Sequence, residues 1–407
     1  MTHLAVATSI VERLQNLGYI AYFTGGWVRD FLLNFPSDDI DIATNASVEL
    51  IQTIFSKTIS VGVSFGIIIV VEEGHQFEIA TFRKERDYID GRRPQFIEPC
   101  SPEEDAKRRD FTINGLFYNP LTKDIIDFVE GQKDIKLGVI KAIGNPMDRF
   151  EEDRLRMLRA IRYSTRFGFE IDHATQTAIH HHALHLFPAV SWERIYQELQ
   201  KMDLYDTLAD SLRLLLKHSL LKIIFDEIAH LEDGIILLHI GQIDHLPKKV
   251  PLIAKLSLLF HEYPLEVKLK ALSKLKISRK ESLLIEYLDK MEKYLFQHNP
   301  DDYELAHLYA HEFFSHGLSF FKHLQFSKEA AFHHEKLYNI LKPYVDRIEQ
   351  KNPLITSTDL SKEKIPNGKI MGELLKEAEK LSIREKIDDP MQVLAQLKLN
   401  PLWPKFN

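Results

Sequence analysis

Strand-type runs nearly vanish from this 407-residue chain at about residue 145, and the remainder reads as helix. Nothing else in the sequence narrows the fold as far, because alternation with a period of two builds sheets whereas a period of 3.6 builds helices. Ahead of the change, Ile20–Phe23 leads into Gly25-Gly26, and Ile40–Ala43 is brief and apolar-rich. Gly66–Val71 and Gln76–Phe82 flank Glu72-Glu73-Gly74, the turn of a hairpin. Helical patterns at Leu4–Leu17, Trp27–Leu33 and Val48–Phe55 stand around these runs. The predicted fold class is α+β, a small mixed β-sheet flanked by helices and succeeded by an all-α remainder. Past Gly144–Met147, amphipathic patterns run through Met147–Phe167, Leu204–Ile224, Leu252–Phe260, Val267–Leu275 and Glu281–Leu295. Prolines such as Pro188, Pro247, Pro264 and Pro300 punctuate them. No fixed-period repeat is present, which disfavours a solenoid.

A formal net charge of −7 excludes a uniformly basic nucleic-acid coat, so any nucleic-acid surface must be a local patch. Cys100 is the single cysteine, which excludes an internal disulfide framework and a cysteine-based zinc finger. No apolar run reaches the ~18 residues of a membrane span. The N-terminus lacks a basic segment before its apolar residues, and Glu12 and Arg13 interrupt it early. The expectation is a cytoplasmic protein with no membrane association and no stable protein partner evident.

Candidate chemistry begins at Tyr22-Phe-Thr-Gly-Gly-Trp-Val-Arg-Asp30 and continues at Asp38-Asp39-Ile-Asp41. Two glycines between a strand and a helix let backbone N–H groups approach a phosphate. Arg29 lies one turn into that helix, within reach of a triphosphate. Asp39 and Asp41, two apart on a strand, project to one face and repel unless a cation lies between them. Mg²⁺ takes one or two carboxylates together with substrate phosphates. An exposed strand end or an ordinary turn accounts for either motif alone; their order, about 13 residues apart, points to a site.

Taken in order, these residues resemble the head of class II CCA-adding tRNA nucleotidyltransferases and bacterial poly(A) polymerases, within the polymerase β-like nucleotidyltransferase superfamily. Further stretches are similar: Phe77-Glu-Ile-Ala-Thr-Phe-Arg83, Arg108-Arg-Asp-Phe-Thr-Ile-Asn114, Arg149–Arg162 and Ser191-Trp-Glu-Arg-Ile-Tyr-Gln-Glu-Leu199. The resemblance implies a nucleotidyltransferase head over residues 1–145, a base-selecting helical neck over 146–203, and a tRNA-binding body and tail over 204–407. It implies two Mg²⁺ ions held by Asp39 and Asp41, with Glu78 as a third catalytic carboxylate or an ordinary exposed strand residue. Gly25, Gly26, Arg29, Arg109, Asp110, Asn114, Asp153, Arg156, Arg159 and Arg162 become the expected nucleotide-binding residues.

Asp153 and Arg156 carry the sharpest expectation. At i, i+3 on a helix they are neighbours, and a surface ion pair is one reading. The other is a template made of protein: a carboxylate accepts from the amino group that cytosine and adenine share, and a guanidinium donates to their ring nitrogen. Uracil and guanine reverse both positions. Arg159 and Arg162 continue at spacing three but drift ~60° per step, so not all of them face one base. Arg83–Glu104, with Gly91, Pro94 and Pro102, reads as a long polar connection resembling the mobile loop of CCA-adding enzymes. That argues against an enzyme restricted to the two cytidines.

The implied activity is template-independent addition of CCA, or its final A, to tRNA 3′ ends from CTP and ATP. Poly(A) synthesis, A-addition beside a CC-adding partner and a non-catalytic RNA-binding paralogue remain open. His180-His181-His182, His307/His311/His316 and His333-His334 lack a metalloprotease-type spacing and read as solvated or packed. In the tail, Pro353–Leu360, Ile365-Pro-Asn-Gly368 and Met371–Leu375 resemble the C-terminal segment of the same family, with Ser357 and Asn367-Gly368 departing from its pattern. Lys362, Lys364, Lys369, Lys376 and Lys380 read equally as a phosphate track or as solvated helix faces.

Overall fold

The computed structural model describes residues 2–35, 37–62, 66–88, 94–297 and 299–404. Contacts divide the chain into two compact units, Met1–His230 and Leu231–Asn407. The first unit opens with α1 (His3–Asn16), β1 (Ala21–Thr24), α2 (Gly26–Leu32), β2 (Asp41–Thr44) and α3 (Val48–Ile54). It continues with β3 (Thr58–Gly62), β4 (Ile67–Glu72), β5 (His75–Thr81), β6 (Arg83–Tyr88), β7 (Pro94–Pro99) and α4 (Pro102–Lys107). Then come β8 (Leu116–Asn119), β9 (Asp124–Asp127), α5 (Gly131–Leu137) and β10 (Val139–Ile140).

Seven strands form one sheet in the order β3-β4-β5-β2-β1-β8-β9. All neighbours are antiparallel except β2 and β5. The β4–β5 hairpin closes through Glu73 and Gly74, both at positive φ, with Glu72 opposite His75. Such a two-residue turn matches the right-handed twist of its strands. Alternation sends Phe77, Ile79, Ile42 and Phe23 to one face, where α1 packs with Val6, Ile10, Val11 and Leu14. On the opposite face Ala43, Phe82, Ala106 and Phe117 form a second buried cluster beneath α4.

Two expectations change here. The polar connection read from Arg83 to Glu104 is largely an antiparallel ribbon, with β6 paired to β7 from Arg83↔Pro99 to Tyr88↔Pro94, and then α4. Its charged residues pair through the backbone, which needs no apolar alternation. Gly91 and residues 89–93 lie outside the described residues. Nor do Asp39 and Asp41 share a strand. β2 begins at Asp41, opposite Thr24, because β1 ends there at the Gly25 turn and leaves Asp39 no partner strand.

The remainder of the first unit is helical: α6 (Pro146–Glu152), α7 (Arg156–Phe167), α8 (His173–His182), α9 (Trp192–Leu204), α10 (Leu208–Lys217) and α11 (Leu220–Ile224), with β11 (Glu170–Ile171) between α7 and α8. β10 pairs in parallel with β11. That pairing stitches across the boundary expected at 145/146, so sheet and first helices share one compact unit. The second unit is helical among its described residues, from α12 (Asp233–Ile243) to α21 (Pro390–Leu397). Its C-terminal part has a core of Ile355, Leu360, Ile365, Met371, Leu374, Ala378, Val393 and Leu397. Thr356 caps the helix Ser357–Lys362 in a reciprocal box with Asp359, and Gly368, at φ +141°, starts Lys369–Arg384. Lys362, Lys369 and Lys380 pair with Asp359, Glu373 and Glu377 along these helices.

Candidate active site

One row of side chains crosses four strands of the sheet: Glu78, Asp41, Thr24 and Phe117. Asp41 faces Thr24, Thr24 faces Phe117, and Glu78 lies one residue before the Ile42–Ile79 pair. Opposed residues share a face, so this row presents its side chains together. Burial raises the Asp41 pKa to about 7, with the charges of Glu78 and Asp39 adding to it and Arg109 opposing. Asp39 is exposed, ahead of the strand, yet close enough to act on Asp41.

The Gly25 turn stands beside this row. Gly25 has φ +69°, and a Cβ there would lie 3.6 Å from Asp41 Oδ2 and 3.7 Å from Arg109 Nη1. Gly25→Ala is therefore expected to strain the backbone by about 1–2 kcal/mol. It also narrows the gap between carboxylate and guanidinium. Equilibrium titration with CTP should show weakened binding, while Gly18→Ala, at positive φ in open space, costs stability alone.

A cleft of about 360 Å³ opens above the turn, lined by Gly25, Gly26, Asp41, Arg108, Arg109, Asp110, Asn114, Asp153, Leu155, Arg156, Arg159, Tyr163 and Arg194. Of the expected residues, Gly25, Gly26, Asp41, Arg109, Asp110, Asn114, Asp153, Arg156 and Arg159 thus meet around one space. Arg29, Asp39, Glu78 and Arg162 are not on its wall. Arg29 is 3% exposed; it donates to Asp30 Oδ1 (2.9 Å) and Asn114 Oδ1 (2.5 Å), with the Tyr163 and Phe167 rings over its guanidinium. Arg162 is equally buried and donates to Glu198 Oε2 at 2.6 Å.

Buried carboxylates aim these arginines. Asp105, 1% exposed, accepts from Arg108 at Oδ1 (2.7 Å) and from Arg109 at Oδ2 (2.9 Å). Burial disfavours its charge, but the two guanidiniums outweigh that and hold its pKa low. Asp110 accepts from Asn114 Nδ2 (3.0 Å), its neighbour's backbone N–H (2.8 Å) and Arg159 Nε (2.7 Å). Against burial, Arg159, Asn114 and Arg156 keep it well below the usual carboxylate range. Tyr163 at the floor accepts from Arg159 Nη2 at 3.1 Å. Burial raises its pKa, yet Arg159 and Arg162 bring it down to about 8.

Asp153 and Arg156 both reach the cleft, but not as neighbours on a continuous helix. Asp153 ends α6 with extended backbone (φ −150°, ψ 102°), and α7 starts at Arg156. The break arises because Asp153 Oδ1 accepts from the backbone N–H of Leu155 (3.0 Å), a side-chain bond that competes with helix. Asp153 pairs with Arg194 (2.7 Å) and Arg156 with Glu152 (2.8 Å) rather than with each other.

Sequence reasoning missed Asp105, Glu152, Tyr163, Arg194 and Glu198. Asp105 precedes Arg108 and Arg109 by three and four residues, a readable helix spacing. Arg194 and Glu198 fall in the Ser191–Leu199 stretch, but spacing could not show what they do there, because their partners lie 41 and 36 positions away.

The site fits a divalent cation through its donor chemistry. Asp41 is crowded by two further carboxylates, and Thr24 Oγ1, next in its row, is buried and has no hydrogen-bond partner among the described residues. Among the described residues no three His, Cys, Asp or Glu side chains converge to hold an ion unaided. Remaining ligands must then come from a substrate, as phosphate oxygens do for Mg²⁺. Two members of the histidine clusters are engaged elsewhere: His180 Nε2 contacts His218 Nδ1 at 3.1 Å, and His334 Nδ1 meets Tyr309 Oη at 2.7 Å. Among the described residues no helix is long and apolar enough to cross a membrane.

Comparison with known proteins gives a consistent picture. The poly A polymerase head domain matches residues 21–141, and a probable RNA- and SrmB-binding site of polymerase A matches 168–231. The chain is 46% identical over 197 residues to a CCA-adding enzyme of Ligilactobacillus salivarius, covering 48% of each, and 44% identical over 199 residues to one of Bacillus cytotoxicus, covering 48% and 49%. The match spans about half the length of these curated relatives. Among solved structures, the Bacillus stearothermophilus CCA-adding enzyme in complex with CTP superposes with a TM-score of 0.76 at 25% identity over 98% of both chains. A Thermotoga maritima CCA-adding enzyme complexed with tRNA shares the fold, with a TM-score of 0.65 at 20% identity over 97% and 95%.

Proposed function

We propose, from the premise that this chain belongs to the family of CCA-adding tRNA nucleotidyltransferases and bacterial poly(A) polymerases, that it adds CCA to tRNA 3′ ends from CTP and ATP. The observation that carries this reading is one cleft lined both by Asp41 and the Gly25 turn and by Asp153 and Arg156. Chemistry and base choice then face the same nucleotide. Residues 1–145 serve as the catalytic head, 146–203 as the base-selecting neck, and 204–407 as the body and tail that hold tRNA.

Two Mg²⁺ ions bound by Asp39 and Asp41 with the triphosphate would polarise the attacking ribose hydroxyl and neutralise the departing pyrophosphate. The residues of the chain position and select. Gly25 and Gly26 let the backbone approach the phosphates, and Arg109, aimed by Asp105, supplies positive charge beside them. Asp110 and Asn114 fix the wall against which the sugar rests. Asp153 accepts from the base amino group, and Arg156 donates to the ring nitrogen. A wrong base leaves both groups facing like partners, a strong basis for rejection. Little acid–base work remains, since positioning and charge neutralisation dominate phosphoryl transfer. Recognition of tRNA by shape and backbone suits the modest charge of the chain.

The test supplies purified protein and Mg²⁺ with tRNA ending at the discriminator base, with tRNA ending at CC, and with generic RNA, giving labelled CTP and ATP separately and together. Incorporation that stops at CCA supports the proposal. ATP transfer to CC ends alone makes it an A-adding enzyme, and long tails on generic RNA make it a poly(A) polymerase. No incorporation on any RNA removes the catalytic reading.

A further inference from the structure

Resting on the proposed function, we propose that Arg194 is a positioning residue for base selection: its two-pronged grip on Asp153 decides which carboxylate oxygen meets the amino group of an incoming nucleotide. Asp153 needs such a grip. It lies between α6 and α7 with extended backbone, so no helix orients its side chain. Two anchors do so instead. Oδ1 accepts from the Leu155 N–H at 3.0 Å and from Arg194 Nη1 at 3.1 Å. Oδ2 accepts from Arg194 Nη2 at 2.7 Å and, among the described residues, from nothing else.

The asymmetry has a chemical consequence. A carboxylate offers about four acceptor positions, two on each oxygen. Oδ1 is fully engaged, whereas Oδ2 keeps one position open. Because the guanidinium is planar and binds both oxygens, the carboxylate cannot rotate without breaking two charge-assisted bonds. Arg194 and Asp153 are 15% and 18% exposed at their side chains, so little water competes. The open position of Oδ2 attracts an N–H donor and repels a carbonyl oxygen, which is the difference between cytosine or adenine and uracil or guanine. Arg156 is restrained in parallel. Its Nη1 donates to Glu152 Oε2 (2.8 Å) and the Arg149 carbonyl (3.0 Å) and its Nη2 to the Arg108 carbonyl (3.4 Å), leaving Nε–H and the second Nη2 N–H for the ring nitrogen. Arg194 arrives from α9, so a helix far from the chemistry in sequence sets the presentation of the reading group.

Calorimetric titration of CTP, ATP, UTP and GTP with Mg²⁺ tests this on wild type, Arg194→Lys, Arg194→Gln, Asp153→Ala and the Asp153→Ala/Arg194→Gln double variant. Both Arg194 variants should lose roughly 10- to 100-fold of the preference for CTP over UTP and ATP over GTP, the scale on which small misplacements act. Lysine keeps the charge but not the fork, so it should not rescue. The double variant should discriminate no worse than Asp153→Ala, because Arg194 acts through Asp153. A purely structural role would weaken all four nucleotides alike and leave the ratios unchanged. Wild-type preference in Arg194→Lys, which preserves size and charge if the glutamine variant unfolds, overturns the assignment, as do losses that multiply in the double variant. A wild type that prefers CTP but extends no tRNA overturns the tRNA reading and leaves Arg194 standing. One without base preference overturns both.

Discussion

Replacing Asp41 by asparagine should reduce nucleotide incorporation by at least about a thousand-fold, the several kcal/mol that a metal-binding carboxylate brings to phosphoryl transfer. Asn keeps the shape of the side chain in the row with Thr24 and Phe117, so the sheet should persist. Stability should respond in the opposite sense to activity. Asp41 has its pKa raised from 3.8 to about 7 by burial and by Glu78 and Asp39. A carboxyl with a raised folded-state pKa lowers stability progressively as pH climbs between those two values. In metal-free buffer the variant should therefore melt above wild type at pH 8, with the gap closing toward pH 4. Added Mg²⁺ should stabilise wild type selectively, since an ion that binds only the folded chain shifts its melting upward. A metal-free melting gap of the opposite sign would show that burial and the neighbouring carboxylates do not raise the Asp41 pKa. Retained incorporation would remove it from the reaction.

Glu198→Ala is expected to destabilise the first unit by about 3–5 kcal/mol, because it leaves Arg162 buried without its partner. The pair is 2.6 Å long with both side chains under 5% exposed, and the Tyr163 ring lies 4.1 Å from the guanidinium. Replacing both residues, Arg162→Met with Glu198→Leu, should recover most of the loss, since the cost is that of an isolated buried charge. Urea unfolding monitored through Trp192, on the same helix as Glu198, reads both effects. Arg162 overcomes burial and holds the Glu198 pKa down. The contribution of the pair is then present above about pH 4.5 and fades as pH falls below it, so the wild-type advantage should narrow in acid. A shift under about 1 kcal/mol at neutral pH would mean that the pair does not hold α7 to α9.

The sheet, the hairpin and the glycine turn were readable because each rests on local chemistry. Alternation placed β4 and β5, Glu73-Gly74 marked their turn, and Gly25-Gly26 marked the strand end. The strand assignment of Asp39 failed for a non-local reason: β1 supplies no partner beyond Thr24. The helix drawn through Asp153 failed because helical spacing says nothing about a side chain that captures a backbone N–H two residues on. Arg29 and Arg162, expected among the nucleotide-binding residues, are buried in the folded chain against Asp30, Asn114 and Glu198, contacts that helical spacing alone does not reveal.

The residue types of the site, and their order, are fixed along the chain: a glycine turn, a crowded carboxylate and a series of arginines at helical spacing. Those are matters of backbone freedom and side-chain chemistry, which neighbours in sequence suffice to define. Asp105 and Glu152 meet their arginines at helical spacing, whereas Asp110 and Glu198 reach Arg159 and Arg162 from other elements, 49 and 36 positions away. A guanidinium loses its freedom when a fixed carboxylate, amide or carbonyl oxygen meets it. Where such meetings between distant elements occur depends on how sheet and helices pack, not on spacing along the chain.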